Sequence, residues 1–102
     1  MNIAAGHLAI IKKILSSRVP EYEVWAFGSR VHGRGFKKFS DVDLAITTET
    51  PIEPLRIADL KEAFSESDLP FKVDIIDLAS TDEPFRRIIE RDHEVVQRPV
   101  NG

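Results

Sequence analysis

Cysteine is absent from all 102 residues, which excludes a disulfide framework and a thiolate zinc site and is compatible with a reducing compartment. Long apolar runs are absent too, so no segment approaches membrane-spanning length. The start, Met1-Asn2-Ile3-Ala4-Ala5-Gly6-His7, lacks the basic residues and apolar stretch of a secretory signal, and a cytoplasmic location is expected. Nor is there an excess of one charge. With 14 basic and 17 acidic residues the formal net charge is −3, which gives no footprint for strong general binding to nucleic acid. A hydrophobic content of 42% supports one ordinary core, so residues 1–102 are expected to form a single domain, with no internal repeat or low-complexity linker.

What is present is an alternation of helical and extended patterns. Leu8, Ile11 and Leu15 recur at helical spacing with Lys12 and Lys13 opposite, predicting an amphipathic helix from His7 to Arg18 that Pro20 ends. Tyr22 to Phe27 is a β-rich run stopped by Gly28, and a short helix is expected beyond it. Asp41 to Thr47 alternates cleanly: Val42, Leu44 and Ile46 face one way, while Asp41, Asp43 and Ala45 face the other. Leu55 to Ser65 reads as a helix and Phe71 to Asp77 as a strand. Ser80 to Asp82 offers capping side chains to a helix bearing Phe85, Ile88 and Ile89, and Glu94 to Gln97 is extended. The order predicts an α/β (α+β) domain, a small mixed sheet with helices packed on one side.

Two short motifs carry chemistry when taken together. Gly28-Ser29-Arg30 follows a strand directly, where backbone N–H groups at a helix start and the Ser29 hydroxyl can seat phosphate oxygens. Ser40-Asp41-Val42-Asp43-Leu44 places two carboxylates on one strand face, the hard oxygen ligands that hold Mg²⁺ against a triphosphate. Asp74, on a later strand, would complete a triad; Asp77 is its rival but falls on the opposite face. Taken alone, Asp41 and Asp43 would read as the solvated face of an edge strand. Ser29 can also serve simply as a helix cap, and Arg30, Arg34, Lys37 and Lys38 as a solvated loop or as a patch that steers an anion. Trp25 and Phe27 read as core rather than a stacking platform, and His7 and His93 as surface residues. Arg86, Arg87 and Arg91, interleaved with Glu83, Glu90 and Asp92, read as helix-surface ion pairs.

These motifs resemble the polymerase-β-like nucleotidyltransferase superfamily, and within it the minimal nucleotidyltransferases of prokaryotic toxin–antitoxin pairs with HEPN-domain proteins. The resemblance runs by motif from about Val24 to Asp77, through Gly28-Ser29-Arg30-Val31-His32-Gly33, Ser40-Asp41-Val42-Asp43-Leu44-Ala45-Ile46 and Val73-Asp74-Ile75, and more loosely to Gln97. It implies the nucleotidyltransferase fold, a two-ion Mg²⁺ site on Asp41, Asp43 and Asp74, and triphosphate contacts from Gly28, Ser29, Arg30 and His32. His32 stands where many members carry arginine. The implied reaction is transfer of a nucleoside monophosphate, AMP from ATP, to a hydroxyl. The implied acceptor is a tyrosine of a HEPN partner with which the chain assembles as an antitoxin. The alternative is a non-catalytic antitoxin that neutralises its HEPN partner by association alone.

Overall fold

A computed structural model of the chain describes residues 3–28 and 41–100. In chain order these form α1 (Ala5–Arg18), β1 (Val24–Phe27), β2 (Val42–Ile46), α2 (Pro54–Ser65), β3 (Val73–Asp77), a 3₁₀ turn (Leu78–Ser80), α3 (Glu83–Arg91) and β4 (Glu94–Gln97). The four strands make one mixed sheet in the order β3-β2-β1-β4. β1 is antiparallel to β2 and β4, whereas β2 and β3 are parallel, as their connection through α2 allows.

The alternating apolar residues form the main core. Val24 and Ala26 of β1, Val42, Leu44 and Ile46 of β2, Ile75 of β3 and Val96 of β4 all face one side of the sheet. Ile11 and Leu15 of α1, with Leu60 and Phe64 of α2, cover that side. Fully burying each such leucine or isoleucine stabilises the fold by about 1.5–3 kcal/mol. Ion pairs also link α2 to α1 and to the turn just beyond it. Arg18 pairs with Asp59 at 3.0 Å and Arg56 with Glu21 at 2.6 Å, exposed contacts worth about 0–1 kcal/mol each.

The α/β class and mixed sheet match the sequence expectation, and α1 and α2 are the helices of the expected single side. α3 lies on the other side: Ile89, buried, packs with Ala45 and Leu78, and with Trp25, Phe27 and Ile76 around them. The reason lies in the strands, since Trp25, Phe27 and Ile76 alternate with the main-core residues and leave apolar surface that needs cover. α3 begins without the side-chain cap expected from Ser80 to Asp82. Thr81 instead donates its hydroxyl to the Asp77 carbonyl at 2.8 Å, closing the 3₁₀ turn that the sequence pattern does not reveal.

A candidate carboxylate site at the β2–β3 boundary

β2 positions the first carboxylates. Val42, Leu44 and Ile46 are fully committed to the core, so the pleat turns Asp43 to the opposite face, with Asp41 just ahead of the strand. Register then sets the neighbours: Asp43 is opposite Phe27 on β1 and opposite Asp74 on β3. One row across the sheet therefore reads Phe27, Asp43, Asp74, and the next reads Trp25, Ala45, Ile76. Phe27 meets Phe85 of α3 edge to face at 5.8 Å, which puts an apolar wall beside the carboxylates.

Asp43 has its pKa raised. Partial burial is the main cause, followed by the charges of Asp74 and Asp41. Three like charges gathered beside a desolvated wall repel one another, and a divalent cation is the natural relief. Among the described residues no three acidic or histidine side chains converge into a finished metal cage. Asp74 instead lies 3.4 Å from the Lys72 ammonium. Hard carboxylate oxygens on Asp43 and Asp74, in register, with Asp41 adjoining, are nevertheless the donor chemistry Mg²⁺ takes, and Lys72 is an exposed, exchangeable partner.

Gly28 closes the site from β1. Its φ is +87°, a conformation side-chain-bearing residues rarely adopt, and a Cβ placed there would stand 2.5 Å from Asp43 Oδ2. Glycine is thus favoured by the backbone turn, and a side chain there would also push the Asp43 carboxylate aside. Ser29, Arg30 and His32, the other phosphate-contact candidates, lie outside the described residues, as do the expected short helix, Arg34, Lys37 and Lys38.

Asp77 is resolved from Asp74 by face. It is buried, and its Oδ2 accepts the Ile52 N–H at 2.8 Å, tying the end of β3 to the segment before α2. Its work is structural. Trp25 and Phe27 are half-buried in the second cluster, as expected of core residues. His93 is more engaged than its sequence context suggests: it stacks on Trp25 at 3.8 Å, and its Nδ1 lies 2.8 Å from the Ile89 carbonyl. Arg87 pairs with Glu83 one helical turn away, as the interleaved charges predict. Lys72, just ahead of β3, is the neighbour that sequence reasoning missed; its signal is the two-residue spacing to Asp74.

Comparison with known proteins places this geometry. Residues 10–99 match the family model described as "Polymerase beta, Nucleotidyltransferase". The chain is 55% identical over 97 residues to the probable protein adenylyltransferase MntA of Haemophilus influenzae, covering 95% of this chain and 84% of that one. Its fold matches a crystal structure of a toxin–antitoxin with AMP-PNP at TM-score 0.71 and 22% identity, over 87% of this chain and 71% of the other. It also matches a tri-AMPylated Shewanella oneidensis HEPN toxin in complex with MNT antitoxin, at TM-score 0.64 and 20% identity, over 88% and 68%. By this match in sequence and fold, the chain belongs to the polymerase beta nucleotidyltransferase family, and within it to the minimal type.

Proposed function

We propose that this protein is a Mg²⁺-dependent adenylyltransferase, a single domain over residues 1–102 acting in the cytoplasm. It moves AMP from ATP to the tyrosine hydroxyl of a HEPN-domain partner and thereby acts as an antitoxin. The observation that carries the reading is the parallel register that sets Asp43 beside Asp74, with Asp41 adjoining. Support comes from the 55% identity to a probable protein adenylyltransferase and from the fold shared with MNT antitoxin bound to an AMPylated HEPN toxin.

In this reading Gly28, Ser29, Arg30 and His32 receive the triphosphate, and Asp41, Asp43 and Asp74 hold Mg²⁺ in a two-ion arrangement. The bound metal supplies charge neutralisation of the triphosphate and of the departing pyrophosphate. Asp74, on the outer strand, takes the proton of the acceptor hydroxyl. The acceptor oxygen then bonds to the α-phosphorus as the bond from that phosphorus to the β-phosphate bridging oxygen breaks. Pyrophosphate leaves, and AMP stays on the acceptor. Positioning does most of the work, because the phosphorus needs only an aligned oxygen and a stabilised leaving group.

The test is transfer of label from α-labelled ATP to the purified HEPN partner in the presence of Mg²⁺. Wild type is expected to label it, and Asp41→Asn with Asp43→Asn to abolish both labelling and neutralisation. Absence of label, with full neutralisation by that double variant, would instead establish inhibition by association alone.

A further inference from the structure

A cleft of about 810 Å³ runs beside β3 and reaches Asp74. Its lining includes Lys61 and Phe64 of α2, Leu69, Phe71 and Lys72 ahead of the strand, and residues 73–76 of β3. Successive strand residues point to opposite faces, so a hollow that touches four in a row follows the strand's edge rather than either face. β3 is also the terminal strand of the sheet, and its outer backbone has no strand partner among the described residues. Such an edge presents N–H and C=O groups along its length, which an extended polypeptide can match.

The two sides of this edge differ in chemistry. On the α2 side the lining is apolar, with Phe64 and Ile75 buried and Leu69 and Phe71 half-buried, and forms the floor of the cleft. On the other side stands the Asp74 carboxylate, in register with Asp43. Lys61 and Lys72, both exposed, add positive charge beside the cleft, Lys72 in an exposed pair with Asp74 at 3.4 Å. A strand laid along β3 would alternate in the same way. A residue opposite Asp74 would bring its Cβ to about 4.5–5.5 Å from that of Asp74, while the residues before and after it would turn into the apolar floor.

We propose that the outer edge of β3 binds the protein acceptor as an added β-strand. The hydroxyl-bearing residue lies on the Asp74 face, its two immediate neighbours are apolar and enter the cleft, and acidic residues near the ends of the segment meet Lys61 and Lys72. This rests on the adenylyl transfer proposed above and specifies how its acceptor is held.

The probes are two peptides of about nine residues, a typical strand length or slightly more, with identical composition. Each has a central tyrosine and terminal glutamates. One places leucines immediately beside the tyrosine and serines a position further out; the other exchanges them. Peptide KM and ATP KM are measured with labelled ATP and Mg²⁺, with the HEPN partner as the parallel acceptor. The first peptide is expected to have a KM about tenfold lower than the second. Lys61→Glu is expected to raise its KM about fivefold while leaving the KM for ATP within about twofold. Equal KM values for the isomers overturn the proposal, as does labelling of the HEPN partner with both peptides inert. A rise in the KM for ATP alone overturns it by assigning the cleft to the nucleotide. Failure of wild type to label any acceptor, the HEPN partner included, removes the transfer reaction itself.

Discussion

Replacing Gly28 with alanine imposes two separable penalties. The first is conformational: at φ +87° an L-residue carries a steric cost of about 1–2 kcal/mol that glycine avoids. The second is a collision, because the new methyl would lie 2.5 Å from Asp43 Oδ2. That oxygen ends a side chain able to rotate, so the collision costs less in stability than in position, and it swings away the carboxylate proposed to hold the metal. Together these predict a loss of about 1–3 kcal/mol, or a fall in Tm of about 4–8 °C for each kcal/mol in a domain of this size. Thermal denaturation would be run without ligand and again with ATP and Mg²⁺, whose proposed binding is expected to raise the wild-type Tm by mass action. Gly28→Ala should lose that rise. Combining it with Asp43→Ala removes the collision and leaves the backbone cost, so a coupling of about 0.5–1 kcal/mol is expected. Wild-type stability for Gly28→Ala within about 0.5 kcal/mol, with the ligand-induced rise intact, would refute both parts.

Asp43→Asn should stabilise the metal-free protein while abolishing nucleotide transfer. The folded-state pKa of Asp43 is raised, mainly by burial, so its ionised form opposes folding. Its stabilising influence is complete below the ordinary aspartate range and is lost as pH rises through the folded value. The gain in Tm of the asparagine variant should therefore grow from about pH 4 towards 7, reaching a few degrees, and an equal gain at every pH would contradict it. Asp77→Ala leaves the buried Ile52 N–H without its acceptor and should cost about 1–3 kcal/mol in urea denaturation; a loss under about 0.5 kcal/mol would remove its structural role. Leu60→Ala empties a fully buried position between α2 and the sheet, with an expected loss of about 2–5 kcal/mol read from the same curves.

The elements were legible where a single period runs unbroken. Val42, Leu44 and Ile46 alternate strictly, so their strand and the outward face of Asp43 follow from spacing alone. α1 begins at Ala5 rather than at His7, because helix ends depend on local turns that a hydrophobic period does not mark. The side taken by α3 was less visible. Its placement depends on Trp25 and Phe27 of β1, Ala45 of β2 and Ile76 of β3 meeting across three strands, a three-dimensional patch assembled from residues distant in sequence. The pairing of Asp43 with Asp74 sits between these cases. Alternation gives each its face, but only the parallel register sets them side by side, and register is a property of two strands together. The strand-edge cleft was hidden for the same reason, since strand order decides which strand is outermost.

The parallel ladder between β2 and β3 and the Asp77 contact to Ile52 fix Asp74, and the length of the connection does not. The site is consequently sensitive to insertions and deletions in one place and indifferent to them in another. With Asp77 held by Ile52, one residue added between Asp74 and Asp77 would move Asp74 one place along the ladder, out of register with Asp43, and turn it towards α2. Added residues among 66–70, after α2 has ended, leave the ladder untouched while reshaping the wall to which Leu69 belongs. That turn is therefore where the proposed acceptor cleft can change shape while Asp43 and Asp74 stay in register.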